Sequence, residues 1–144
     1  MNDLVLVGGA GGIGRSLAKR ALQDGWNVTV MDLSKSLQRH PPKQGIKSIE
    51  IDLTNPTSIS NAFSNLDQLS GFVNLAGYLQ GLSSIEKTTS KEFDDVINLN
   101  LKGAFLVAKQ ALKLLRVNGG SMVNVVSGLA SNVRPHYGAY GVSK

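Results

Sequence analysis

The sequence predicts an α/β fold with a doubly wound parallel sheet, and three observations lead there. Short apolar runs of strand length alternate with stretches whose apolar residues recur at helical spacing, the pattern of helices covering both faces of a parallel sheet. A glycine cluster, Gly8-Gly9-Ala10-Gly11-Gly12-Ile13-Gly14, falls between the first apolar run and the first helical stretch. The residues with chemistry to offer (Gly8, Asp32, Asp52, Asn74 to Gly77 and Ser127) fall at the ends of apolar runs, where sheets of this kind bind ligands.

The elements follow in order. Leu4 to Val7 is a short apolar run and reads as a buried strand. After the glycine cluster, Ile13, Leu17 and Ala21 lie at i, i+4 and i+8, with Ala18 and Leu22 beside them and Arg15, Lys19 and Arg20 outside. Between strand and helix, glycines permit a tight turn and let the backbone approach a pyrophosphate closely. The helix start adds N–H groups and the positive end of its dipole. Trp26 to Met31 is the second strand, and Asp32 ends it eighteen residues after Gly14. That is the position for a carboxylate accepting hydrogen bonds from an adenosine ribose, which makes the sheet Rossmann-type.

Ser34 to Gln44 is polar, contains Pro41-Pro42, and reads as a loop with at most one helical turn. Gly45 to Leu53 reads as a third strand around Ile46, Ile49 and Ile51. Asn55 then Pro56 has the form of an N-cap with proline at the first helical position, and Ile59, Ala62, Phe63 and Leu66 share a face. Phe72 to Leu75 is the fourth strand and runs into Ala76-Gly77. A long helix is expected from about Ser90 to Arg116, with Ile97, Leu101, Ala104, Phe105, Ala108, Leu112 and Leu115 as its apolar face. Gly103 marks a kink or a close packing point within it. Asn118-Gly119-Gly120 stops that helix, and Met122 to Val126 is the fifth strand.

The stretch from Ser127 to Lys144 carries the remaining chemistry. Tyr140 and Lys144 are four apart, which on a helix places both side chains on one face. An ammonium beside a phenol favours the phenolate, and a tyrosine so placed can give or take a proton near neutral pH. Ser127, thirteen residues upstream of Tyr140, sits at a strand tip, from which a hydroxyl can hold a substrate oxygen.

Composition narrows the classes. With 144 residues, 42% of them hydrophobic, the chain is expected to form one folded domain over 1–144. It has no cysteine, which excludes disulfides and thiolate chemistry and fits a reducing, cytoplasmic location. No apolar run approaches the roughly 20 residues of a membrane span, and a strand follows Met1 almost at once, so neither membrane nor leader is expected. The net charge of +5 is scattered, without the clustering and interleaved aromatics of a nucleic-acid surface. His40 and His136 read as ordinary loop residues, and no grouping has metal-ligand spacing.

As a set, these residues resemble the classical short-chain dehydrogenases/reductases, and the likeness covers essentially the whole chain. Gly8, Gly12 and Gly14, with Ile13 between the last two, match the family's G-x-x-x-G-x-G turn. Asp52-Leu53 is similar to the pair flanking the adenine, and Asn74-Leu75-Ala76-Gly77 to the N-N-A-G segment. Asn100-Leu101-Lys102-Gly103 resembles the N-x-x-G element with its catalytic asparagine, while Ser127, Tyr140 and Lys144 match the catalytic serine and Y-x-x-x-K. Val7 in place of the usual threonine and Leu75 in place of the second asparagine depart from the pattern.

The resemblance implies a nicotinamide-dependent oxidoreductase acting on a small alcohol or carbonyl compound. Tyr140 is then the general acid or base, and Ser127 holds the substrate oxygen. Lys144 holds the nicotinamide ribose and tunes Tyr140, and Asn100 positions a water. Asp32 should favour NAD over NADP by repelling a 2′-phosphate, although Arg15, Lys35 and Arg39 lie nearby. Full-length relatives are expected to be homo-oligomeric and to continue well beyond Lys144. The sheet over 1–144 is therefore expected to be incomplete at its C-terminal side, and those residues alone to associate, bind NAD weakly and show no turnover. The alternative is a nucleotide-binding fragment or relic without catalysis.

Overall fold

The computed structural model describes residues 2–132 and 134–144. Met1, on which the expectation of no leader rests, and Val133 lie outside the described residues. Five strands form one sheet: β1 (Asp3–Val7), β2 (Asn27–Asp32), β3 (Lys47–Glu50), β4 (Gly71–Asn74) and β5 (Ser121–Asn124). All pair parallel, in the order β3-β2-β1-β4-β5. Val7 lies opposite both Met31 and Asn74, Asp32 opposite Glu50, and Asn74 opposite Asn124. The C-terminal ends of the strands are thus level, and the strand order reverses between β1 and β4.

Helices cover both faces, as a Rossmann-type doubly wound sheet requires. They are α1 (Gly12–Gln23), α2 (Ser34–Arg39), α3 (Pro56–Phe63), α4 (Ser90–Ile97), α5 (Ala104–Asn118) and α6 (Gly138–Ser143). The period-2 alternation of β1 divides the core. Val5 and Val7 pack with Met31, Ile59, Phe63, Phe72, Val107 and Ala111, under α3 and α5. Leu4 and Leu6 pack with Ala18, Ala21, Val28 and Val30, under α1. Each of the four β1 side chains from Leu4 to Val7 is buried, and burying one such side chain is worth about 1.5–3 kcal/mol. The N-cap expected of Asn55 is present: its Oδ1 accepts from Thr57 N–H (2.9 Å) and Ser58 N–H (3.2 Å), with Pro56 next.

Four expectations are corrected. The segment after β2 is not a loop with one turn at most, because Ser34–Arg39 forms a six-residue helix. The third strand is only four residues long, Lys47–Glu50: it is an edge strand, and after one further bond to β2, Ile51 N–H to Asp32 O (2.9 Å), the chain turns away with Ile51 and Leu53 buried. Ile13 does not join the buried face of α1. It stands 69% exposed in the first turn, and Gly14, Ala18 and Ala21 are the buried positions.

The fourth correction is to the long helix. It is broken by a π-helical segment, Asn98–Gly103, between α4 and α5. Its buried positions are Val96, Asn100, Gly103, Val107, Ala111 and Leu115. Leu101, Phe105 and Leu112, expected inside, are 53%, 65% and 43% exposed. Gly103 is a close packing point, since a Cβ there would lie 2.9 Å from both Cβ and O of Leu53.

Candidate active site

The glycine turn is built against the end of β4. Gly8 has φ +76°, in the left-handed region, and a Cβ on it would lie 2.7 Å from the Ala76 nitrogen. Only glycine meets both conditions. The first helical bond of α1 runs from Arg15 N–H to Gly11 O (2.9 Å), so the N–H groups of Gly12, Ile13 and Gly14 precede the hydrogen-bonded ladder.

Beyond the strand ends lies a groove of about 690 Å³, lined by Gly8, Asp32, Asp52, Leu53, Ala76 and Gly77 among others. Six of the residues singled out in the sequence therefore share one wall. Ile13 is absent from this lining: its side chain points to solvent, and its backbone alone remains available to a ligand. The Asp32 carboxylate accepts from Ala10 N–H (3.0 Å) and Leu33 N–H (2.8 Å), tying the end of β2 to the glycine turn. Asp52 Oδ1 accepts from both N–H (2.8 Å) and Oγ1–H (2.7 Å) of Thr54, which shapes the turn into α3.

A second group, Asn74, Asn100 and Lys144, lines another cavity of about 270 Å³ together with residues of α5 and the end of β5. Asn74 Oδ1 accepts from Ala76 N–H (3.2 Å) and sets the turn after β4. Asn100 is buried in the π-helical segment. Its Oδ1 accepts from Tyr78 N–H (2.7 Å), and its Nδ2 donates to Tyr78 O (2.9 Å) and to Ser143 Oγ (2.9 Å). Lys144 Nζ donates to Ala76 O (3.2 Å) and lies 5.9 Å from the centre of the Tyr140 ring. Burial pushes the Lys144 ammonium below the ordinary lysine pKa, because desolvation disfavours the charged form. Gly77 makes room for that ammonium: a Cβ there would lie 3.0 Å from Nζ.

Ser127 and Tyr140 stand apart from these cavities. Ser127 Oγ accepts from Leu129 N–H (3.2 Å) and caps the short turn Gly128–Ala130. Tyr140 is half-buried in α6, and among the described residues no hydrogen bond joins it to Ser127. The structure thus brings Lys144, Asn100 and Gly77 together, sets the Tyr140 ring beside the Lys144 ammonium, and leaves Ser127 three residues beyond the end of β5, which stops at Asn124 and not at Val126 as expected.

Ser143 was not singled out in the sequence. Buried beside Lys144, its hydroxyl donates to Tyr140 O (2.8 Å) while accepting from Asn100, so it links α6 to the π-helical segment. Its position three residues after Tyr140 is the signal: serine hydroxyls often bond back one turn along a helix. The capping box of α4 was equally legible in Thr89-x-x-Glu92, with Glu92 N–H on Thr89 Oγ1 and Thr89 N–H on Glu92 Oε2.

A parallel sheet whose order reverses between β1 and β4, with a glycine turn at that point, defines an α/β domain that takes its ligand beyond the strand ends. The chain belongs to the short-chain dehydrogenase family, whose model, "short chain dehydrogenase", matches residues 3–144. It is 27% identical over 159 residues to a short-chain type dehydrogenase/reductase of Picea abies, covering 97% of this chain and 59% of that protein. It is also 27% identical over 177 residues to levodione reductase of Leifsonia aquatica, covering 96% and 65%. The chain therefore spans about three-fifths of the length of these relatives. Among solved structures, the closed form of serine dehydrogenase complexed with NADP+ has the same fold, with a TM-score of 0.89 at 21% identity over 99% of this chain and 60% of that one.

Proposed function

We propose that residues 1–144 are the cofactor-binding and catalytic part of an oxidoreductase that interconverts a small alcohol and its carbonyl compound with a nicotinamide dinucleotide. The observation that carries this reading is the placement of Lys144. Helix α6 brings its ammonium beside Tyr140 and against Ala76 and Gly77, which line the same groove as Gly8, Asp32 and Asp52.

The residues fit a dinucleotide. The left-handed Gly8 leaves the turn without a Cβ where a pyrophosphate would approach, the first N–H groups of α1 follow it, and Asp32 offers carboxylate lone pairs to a ribose. Leu53 and Asp52 would flank the adenine, and Asn74, Ala76, Gly77 and Lys144 the nicotinamide end. Bound there, the dinucleotide supplies or accepts the hydride. Tyr140 gives a proton to the substrate oxygen in carbonyl reduction and takes one in alcohol oxidation. Ser127 donates a hydrogen bond to that oxygen as negative charge develops on it. Lys144 holds the ribose beside the phenol. Asn100 positions a water that returns protons from solvent.

The relative with NADP+ supports a nicotinamide dinucleotide as the class of ligand. Asp32 supports NAD within that class, because its carboxylate accepts from a free 2′-hydroxyl and repels a 2′-phosphate. The expected preference for NAD is at least about tenfold, or about 1.4 kcal/mol; equal affinities in a titration, or tighter NADP binding, contradict it. The absence of cysteine supports a cytoplasmic enzyme, and the family supports a homo-oligomer. The test is NADH- and NAD+-linked turnover of the full-length protein on a broad panel of carbonyls and alcohols. Dinucleotide binding without turnover of any member favours the non-catalytic alternative.

A further inference from the structure

Helix α6 runs for only six residues, Gly138–Ser143. A helix shorter than about 12 residues is marginal in water, so tertiary contacts must fix where its end stands. Among the described residues, the side-chain hydrogen bonds that tie α6 and Lys144 to the rest of the chain come from Ser143 and Lys144. Lys144 reaches out on a long, flexible stem, to Ala76 O at 3.2 Å and to Val125 O at 3.5 Å. Ser143 makes the short, stiff tie: its Oγ accepts from Asn100 Nδ2 at 2.9 Å while its hydroxyl donates to Tyr140 O at 2.8 Å.

Helix stability does not call for a serine at this position. Ser143 is 4% exposed, alanine is the better helix former, and a buried hydroxyl costs free energy unless it is bonded. What the hydroxyl adds is geometry, since it is donor and acceptor at once on a single side-chain torsion. Its partner Asn100 is held twice by the backbone of Tyr78. Tyr78 directly follows Ala76 and Gly77, against which the Lys144 ammonium rests. The bonds therefore close a ring, from α6 through Ser143 to Asn100, on to Tyr78, along the chain to Ala76, and through Lys144 back to α6. The lysine is thus held at both ends of its side chain, and the Tyr140 carbonyl lies in the same ring.

We infer that Ser143 is a positioning residue, whose hydroxyl keeps the Lys144 ammonium beside the Tyr140 ring by anchoring the last turn of α6 to Asn100. The inference rests on the reading of Tyr140 and Lys144 as the catalytic pair. Ser143 has already given its one proton to Tyr140 O, so it acts through its neighbours and not as a donor to a ligand.

The test is steady-state kinetics of the full-length protein on the best substrate of a broad panel of alcohols and carbonyls, with thermal melts beside it. The variants are Ser143→Ala, Ser143→Thr, Lys144→Ala and Ser143→Ala/Lys144→Ala. Ser143→Ala should lower kcat by at least about tenfold, because a displaced lysine no longer meets the geometry of the reaction. The substrate KM should stay within about twofold of the wild type, and Tm should fall by only a few degrees. Ser143→Thr keeps the hydroxyl and should recover most of the lost kcat. Adding Ser143→Ala to Lys144→Ala should cost little more, since the serine acts through the lysine. Unchanged kcat in Ser143→Ala, a loss in KM alone, or full additivity with Lys144→Ala overturns the inference. So does a threonine variant that melts like the wild type yet is as slow as the alanine variant; should the extra methyl of threonine unfold the protein, the cycle with Lys144→Ala decides. A Ser143→Ala protein that no longer folds also overturns it, because the hydroxyl then holds the fold and not the lysine. If the wild type turns over no member of the panel, or Lys144→Ala keeps full turnover, the reading of the catalytic pair fails and this inference with it. An impaired Lys144→Ala beside a normal Ser143→Ala refutes the role of the serine alone.

Discussion

Gly77→Ala separates the position of Lys144 from the stability of the fold. The new Cβ would meet Lys144 Nζ at 3.0 Å and Cε at 3.4 Å, with Asn100 Oδ1 at 4.0 Å and no other atom nearer. Ordinary contacts of this kind lie at about 3.4–4 Å, so the ammonium must retreat by about 0.4–1 Å. That displacement carries its bond to Ala76 O, already 3.2 Å, beyond hydrogen-bond range. Because the obstacle is the tip of a flexible, partly solvated side chain, water replaces the lost bond, and the cost to stability stays below about 1 kcal/mol. Catalysis is less tolerant, since a misplacement of about 1 Å can cost about a hundredfold, equivalent to about 2.7 kcal/mol.

The assay is a double-mutant cycle of Gly77→Ala and Lys144→Ala in the full-length protein, reading kcat and KM together with thermal melts. If glycine acts through lysine, Gly77→Ala lowers kcat by about a hundredfold, shifts Tm by only a few degrees, and adds little to Lys144→Ala. Full additivity of the two losses, or unchanged turnover in Gly77→Ala, refutes this reasoning. A collapse in Tm would instead mean that the Cβ displaces backbone.

Two further predictions rest on single observations. Asn55→Ala leaves Thr57 and Ser58 N–H without their cap and should cost about 1 kcal/mol in chemical denaturation, whereas Asn55→Asp should be nearly neutral. Lys144 has its pKa lowered by burial, so between that value and the ordinary 10.5 the unfolded chain binds more protons than the folded one. The stability of the wild type relative to Lys144→Met should therefore rise as pH climbs toward 10.5; urea melts showing a flat or falling difference would contradict the assignment.

Much of the fold is legible because local chemistry and packing agree. Leu4 to Val7, Gly8 and the face carrying Ala18 and Ala21 each point to strand, turn and helix, and Asn55-Pro56 announces α3. The phase of α5 was not legible. Val107 and Ala111 face the sheet, yet the neighbouring stripe of Leu101, Phe105 and Leu112 is at least as apolar, and hydropathy alone cannot choose between adjacent faces. The buried stripe also contains Asn100 and Gly103, which satisfy hydrogen bonds and a close approach and carry no apolar signal. The candidate site is legible where it depends on backbone shape, as at Gly8 and Gly77. It is less so where it depends on a tertiary partner, as with the Ser143 hydroxyl on Asn100, forty-three residues away.

The central claim is that Tyr140 carries the proton in a nicotinamide-dependent reaction. Tyr140→Phe keeps the ring beside Lys144 and removes only the phenol oxygen, so it tests that claim most directly. In the full-length protein it should lower kcat by about a hundredfold or more while the Kd for NAD+ stays within about twofold of the wild type. Near-normal turnover in Tyr140→Phe would contradict the account.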